Sequence, residues 1–212
     1  MNSNFTRAEI KAQAREQLRG KVWMFFLVSL IVYAITFALA FIPVAGVIAV
    51  YIIVPPLSIG MVMIYLDVTY GDEIDLSRLF KGFNMMGKTI GLFLLILLFT
   101  YLWMLLFIIP GIIKAYSYSM SFYILAENPD MTAREALNES KLIMQGHKWE
   151  FFVLELSFIL WILLGVVTFG LALIYVEPYM QLTYTNFYHN IKRQPAPVAE
   201  EVYAEPVAEV IE

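Results

Sequence analysis

The chain has 212 residues, 60% hydrophobic and 16% aromatic, with a mean hydropathy of +0.71, whereas a soluble domain is nearer half apolar, so an ordinary soluble fold is excluded and an integral membrane protein is indicated. The formal charge of −4 comes from Glu200, Glu201, Glu205, Glu209 and Glu212; ahead of them 14 basic residues meet 13 acidic ones, a balance that points to no nucleic acid partner. Cysteine is absent, which excludes disulfides, thiolate metal sites and palmitoylation.

Residues 1–21 open with Thr6 and Glu9 in a T-x-x-E capping box, then a mixed charged helix to Arg19 with Ala8, Ala12 and Leu18 on its thin apolar side. This predicts an amphipathic helix at the membrane surface. Val22 to Ile42 is long enough for one crossing at about 1.5 Å per residue. Ala38-Leu39-Ala40 resembles a signal-peptidase site, but a second apolar run follows at once, so a retained helix is expected. After a turn at Pro43, Val44 to Leu66 crosses back. Pro55-Pro56 must break backbone hydrogen bonds there and predicts a kink packed against protein. Between Asp67 and Lys88, Leu76, Leu79, Phe80 and Phe83 recur at helical spacing opposite Arg78 and Lys81, predicting a second surface helix near 75–87.

Thr89 to Ile109 is the third crossing, ended by Pro110-Gly111. Ile112 to Ala126 is the fourth, short and marked by Lys114 and a Tyr/Ser face of Tyr116, Ser117, Tyr118, Ser119, Ser121 and Tyr123. Glu127 to Asp130 reads as a turn, and Thr132-x-x-Glu135 opens a third surface helix over 132–146. The fifth crossing runs from Phe151 to Phe169 and the sixth, broken at Glu177-Pro178, from Leu171 to Tyr188. Residues 194–212, acidic and containing Pro195, Pro197 and Pro206, read as a disordered tail. The expected fold is an all-α polytopic membrane bundle over 22–193. Its six transmembrane helices form three hairpins, each preceded by an amphipathic cytoplasmic interfacial helix.

All 14 basic residues except Lys114 fall on one side of these six crossings. By the positive-inside rule that side, with both termini, is the cytoplasm. An ungapped internal match pairs Thr6 with Thr132, Glu9 with Glu135, Arg15 with Lys141, Gly20 with Gly146 and Trp23 with Trp149, every pair 126 residues apart. Half that offset falls near Gly82, in the middle surface helix, so three parallel units are inferred, each a surface helix and a hairpin.

Gly82 to Thr89 matches the phosphate-binding pattern G-x-x-x-x-G-K-[ST]. That loop works after a buried strand, and here a surface helix precedes it, so Lys88 is assigned to lipid headgroups instead. Lys114 and Glu177 are the ionisable residues best placed for an intramembrane polar site, with Tyr116 and Tyr118 beside them; Glu155 reads as able to reach the interface. Lys114 and Glu177 are both expected in the outer half, where they can pair. Lys21, Trp23, Lys88, His147, Lys148 and Trp149 are expected to touch lipid at the interface, with Tyr70 and Tyr188 in the same aromatic belt. His147 and His189 make a poor metal pair, no nucleophile–base arrangement is present, and neither a cofactor nor enzyme activity is expected.

The run Ile109-Pro110-Gly111-Ile112-Ile113-Lys114-Ala115-Tyr116-Ser117-Tyr118-Ser119-Met120, then Tyr123 to Pro129, Ala136-Leu137, Ser140-Lys141 and Gly146 to Trp149, resembles a bacterial membrane family, number nine-seven-five among the domains of unknown function. Leu156-Ser157-Phe158, Trp161, Pro178-Tyr179 and Phe187-Tyr188 extend the resemblance over nearly everything before the tail. It implies a bacterial cytoplasmic membrane, mostly in Firmicutes, with Lys114 and Gly146 to Trp149 in the family pattern and Glu177 less fixed. It brings no activity or substrate. The expected role is non-enzymatic, through membrane lipids with anionic headgroups or through a cytoplasmic or membrane protein partner. The alternative is a small-molecule or lipid transporter with a cavity near Lys114, Glu177 and the Tyr/Ser face.

Overall fold

A computed structural model describes residues 5–42 and 45–194. The expected turn at Pro43 and the tail from residue 195 onward lie outside the described residues. Within them the chain is all-α, with no strand. The helices are α1 (Arg7–Leu18), α2 (Val22–Ala40), α3 (Ala45–Tyr70), α4 (Arg78–Lys81), α5 (Met86–Leu106), α6 (Ile108–Tyr118), α7 (Ser121–Glu127), α8 (Ala133–Ile143), α9 (Lys148–Leu156), α10 (Ile159–Val167) and α11 (Leu173–Lys192). A 3-10 turn, Gly82–Met85, joins α4 to α5.

Among the described residues, four stretches are long and apolar enough to cross a membrane: Val22–Leu39, Ile48–Tyr70, Arg78–Leu105 and Lys148–Val167. Six were expected, and the difference has a physical basis. The fourth apolar run is divided at Ser119-Met120 into α6 and α7, and α11 carries Gln181, Asn186, His189, Asn190 and Lys192. α7 and the C-terminal half of α11 lie among other helices, whereas Ile108, Ile109, Ile112 and Ile113 of α6 are exposed. The second helix of each expected pair is the better buried: Tyr65, Leu66 and Val68 of α3, Ile124 and Leu125 of α7, and Leu182, Phe187 and Tyr188 of α11 are all inside. Facing outward are Phe37 of α2, Leu105 of α5 and Leu160, Val166 and Val167 of α10. This is the inverse of a water-soluble surface and suits lipid as solvent.

The short helices are not apolar-side-down on an open surface. Ile10, Ala14 and Leu18 of α1 are buried, as are Ala136, Leu137 and Ser140 of α8 and Leu79 of α4, each against neighbouring helices. α1 lies along α11, where Gln17 and Asn186 exchange two side-chain hydrogen bonds of 3.1 and 2.7 Å. α8 lies on α5 and α7, and α4 on α3. The same cap starts α1 and α8. The Thr6 hydroxyl accepts from the Glu9 N–H at 3.2 Å and the Thr132 hydroxyl from the Glu135 N–H at 3.3 Å, while each glutamate accepts the threonine N–H in return. Both helices are also followed by a glycine in the left-handed region, Gly20 at φ +77° and Gly146 at φ +81°.

α4 approaches α3 at backbone contact. A Cβ on Gly60 of α3 would stand 2.0 Å from the Leu79 carbonyl oxygen, and one on Gly82 would stand 2.0 Å from that of Pro56. The expected Pro55-Pro56 break is therefore covered by protein, although both prolines lie inside one continuous α3. The Arg78 guanidinium closes the joint with a fork on Asp67, both contacts 2.9 Å.

Candidate functional site

The intramembrane pair expected from sequence does not form. Among the described residues no ion pair joins Lys114 to Glu177. The Ser29 hydroxyl of α2 donates to the Glu177 carboxylate at 2.6 Å, and the buried Tyr65 hydroxyl of α3 lies within its electrostatic range. The Lys114 ammonium instead sits 4.8 Å from the Trp103 ring centre and within electrostatic reach of Lys141 and Lys148. Lys114 thus lies with Lys141 and Lys148, not with Glu177.

The Tyr/Ser face holds helices together. The Tyr116 hydroxyl donates to Glu155 at 2.5 Å, and its ring sits edge-on to Phe151 and Phe152, which fixes α9 against α6. Tyr118 is buried under the Lys141 ammonium, 5.6 Å from the ring centre. Ser117 and Ser119 return their hydroxyls to carbonyls of their own helix. The break between α6 and α7 frees backbone groups in an apolar setting. Ser140 of α8 takes them up: its hydroxyl donates to the Ser117 carbonyl at 2.9 Å and accepts the Met120 N–H at 3.2 Å. Ser140→Ala leaves both groups buried and unpaired and is expected to destabilise the fold by about 1–3 kcal/mol. Thermal unfolding in detergent checks this, with Ser119→Ala expected to cost well under half as much; equal melting temperatures for the two variants would remove Ser140 from this role.

The densest polar contact was not expected. Glu127, read from sequence as part of a turn, accepts from the Tyr188 hydroxyl at 2.7 Å and also from the Tyr70 hydroxyl and the Lys192 ammonium. It therefore joins the ends of α3, α7 and α11, and the His189 ring stands edge-on to Tyr70 at 5.0 Å. Burial alone would raise the pKa of this carboxyl. The hydrogen bonds from Lys192, Tyr70 and Tyr188 outweigh it and hold the group below the ordinary carboxylate range. Nothing local marks Glu127, because its partners lie 57, 61 and 65 residues away. Tyr70 and Tyr188, expected in an aromatic belt, are in part committed to it.

The phosphate-loop pattern has no phosphate-loop structure. Gly82 is in contact with the Pro56 backbone, the buried Thr89 hydroxyl donates to the Met86 carbonyl, and Lys88 donates to the carbonyls of Pro129 and Asp130 at 2.6 and 3.1 Å. Lys88 is thus occupied by the turn before α8. Among the other residues expected at the interface, Lys21 donates to the Asp72 carbonyl at 3.4 Å and His147 contacts Glu150 at 3.0 Å. Trp23 and Trp149 are 66% and 65% exposed, each packed on the phenylalanine three residues on, Phe26 and Phe152. Among the described residues no group of three His, Cys, Asp or Glu side chains is placed to hold a metal ion.

No curated protein and no solved structure matches the chain. A family profile described as a protein of unknown function (DUF975) matches residues 1–117 and 96–195, which together take in every described helix from α1 to α11. The chain belongs to this family of proteins of unknown function.

Proposed function

We propose that the protein is a non-enzymatic six-crossing component of a bacterial cytoplasmic membrane, with both termini inside, acting through lipid or protein partners at its cytoplasmic face. The observation that carries this reading is the distribution of exposed groups. Apolar side chains cover the outer helices, and Phe169 at the turn before α11 is 99% exposed, while the basic residues gather at the other ends of the same helices. Each Lys or Arg near anionic headgroups contributes about 1 kcal/mol to such contact.

A three-unit architecture is part of the reading. It is supported by features 126 residues apart: the caps at Thr6 and Thr132, the left-handed Gly20 and Gly146, and the pairs Trp23–Phe26 and Trp149–Phe152. The buried residues Ile10, Ala14 and Leu18 stand opposite Ala136, Ser140 and Met144 at that same spacing. In each unit the short helix leans on the closing helix of a neighbouring hairpin: α4 on α3, α8 on α7, α1 on α11. The transport alternative needed Lys114, Glu177 and the Tyr/Ser face on one cavity. Glu177 bonded to Ser29 and Lys114 beside Trp103 support the present reading over that one.

Because the chain has no cysteine, single introduced cysteines test the topology without background. Ile109→Cys and Leu171→Cys are expected to react with an impermeant maleimide on intact cells, and Asp130→Cys and Arg193→Cys only after permeabilisation. Labelling of Asp130→Cys from outside would overturn the six-crossing arrangement.

A further inference from the structure

Three lysines with no acidic partner converge from three elements. Ser140 binds the Ser117 carbonyl, so the next residue of α8, Lys141, is held against α6 beside Tyr118. Glu155, Phe151 and Phe152 pack on Tyr116, which fixes the start of α9, and Lys148 with it, beside the turn of α6 that carries Lys114. All three lysines are half-buried, and among the described residues none forms an ion pair with a carboxylate. Glu155 is engaged by Tyr116 and Glu150 by His147; Lys141 donates to the neutral Asn138, at 2.9 Å, and otherwise lies over the Tyr118 and Phe99 rings. Burial, then Lys114 and Arg134, hold the Lys141 ammonium below the ordinary lysine range, so the charges felt there are all of one sign.

What surrounds the lysines is apolar and open: Trp103, Ile113, Leu142 and Trp149 are exposed beside them. Tyr118, the ring under Lys141, also lines a groove of about 600 Å³ between α5 and α6, walled by Phe93, Leu97, Tyr101 and Met104. The buried Thr100 hydroxyl, on that same wall, has no hydrogen-bond partner.

We infer that Lys114, Lys141 and Lys148 form a binding site for the phosphate of one anionic phospholipid, whose acyl chain lies in the groove beside Tyr118. The inference rests on the proposed action through lipid and narrows it to one place. A cluster of ammonium groups with no ion-paired carboxylate favours an anion, and the adjoining apolar groove favours one that carries a hydrocarbon chain.

The test uses the full chain in nanodiscs of mixed phosphatidylglycerol and phosphatidylcholine. Lipid retained on transfer to detergent is identified by native mass spectrometry, and melting is followed in parallel in phosphatidylcholine alone, with and without inorganic phosphate. Phosphatidylglycerol is expected to be retained in excess and to raise the melting temperature. Lys114→Gln/Lys141→Gln/Lys148→Gln is expected to weaken its binding by about a hundredfold, roughly fivefold per lysine, while Arg7→Gln/Arg19→Gln keeps the preference. If the triple variant does not fold, each single variant must still show its roughly fivefold loss. A preference that survives the lysine changes and disappears with the arginine ones overturns this site and leaves the broader lipid reading standing. No preference in the parent protein overturns both. Equal stabilisation by inorganic phosphate alone overturns the assignment to a lipid.

Discussion

Gly60→Ala is expected to undock α4 from α3 and to cost about 1–3 kcal/mol or more. The added carbon would meet the Leu79 carbonyl oxygen at 2.0 Å, and backbone does not swing aside as a side-chain tip would. Relief requires moving α4, which strains the Arg78 fork on Asp67 and uncovers the Pro55-Pro56 segment. Gly82→Ala meets the Pro56 carbonyl at the same distance from the other side and should act alike. Gly91→Ala is the matched control. Its nearest neighbour would be the Ala133 Cβ at 3.7 Å, so an alanine fits there and gains about 1 kcal/mol of helix propensity in α5. Melting temperatures in one detergent should separate the two substitutions in opposite directions. Equal melting of Gly60→Ala and Gly91→Ala would mean that the α3–α4 contact is looser than described.

Glu127→Gln is expected to cost about 2–3 kcal/mol, below the 3–5 of a fully buried pair because the Lys192 side chain is 42% exposed. The substitution keeps shape but removes the charge on which Tyr70, Tyr188 and Lys192 converge. It also changes the response to acid. Because the folded carboxyl titrates below the unfolded one, its contribution is fully present above the ordinary glutamate value, near about 4.3, and is lost as pH falls through the lower folded value. The parent protein should therefore lose stability on acidification below that range, and Glu127→Gln should show a shallower fall over the same interval. Parallel curves for the two proteins would remove Glu127 from the acid response.

What the sequence made legible is what local chemistry controls. The long apolar runs of α2, α3 and α5 begin and end within a few residues of their expected bounds, because hydropathy and the Pro and Gly punctuation act locally. Both T-x-x-E caps form for the same reason. The breaks at Ser119-Met120 and Ser157-Phe158 carry neither Pro nor Gly, so no local signal exists. The first is sustained by Ser140 from α8, and the second lies under the Lys11 ammonium of α1, 4.2 Å above the Phe158 ring. The candidate site divided along the same line. Lys114 was legible as an anomalous charge, but its neighbours Lys141 and Lys148 are set by how α8 and α9 fold back on α6. Glu127 was invisible because its importance lies wholly in distant partners.

The side-chain exchange between Gln17 and Asn186 spans 169 positions of the chain. A ribosome working at about 5–20 residues per second leaves α1 without its partner for roughly ten seconds or more. During that time Ile10, Ala14 and Leu18 have no α11 to cover them. The closing of the bundle is thus a late event in synthesis. A chain cut short before α11 would keep its early spans inserted and still present an open seam, the kind of surface that membrane proteases and insertion chaperones read as unfinished.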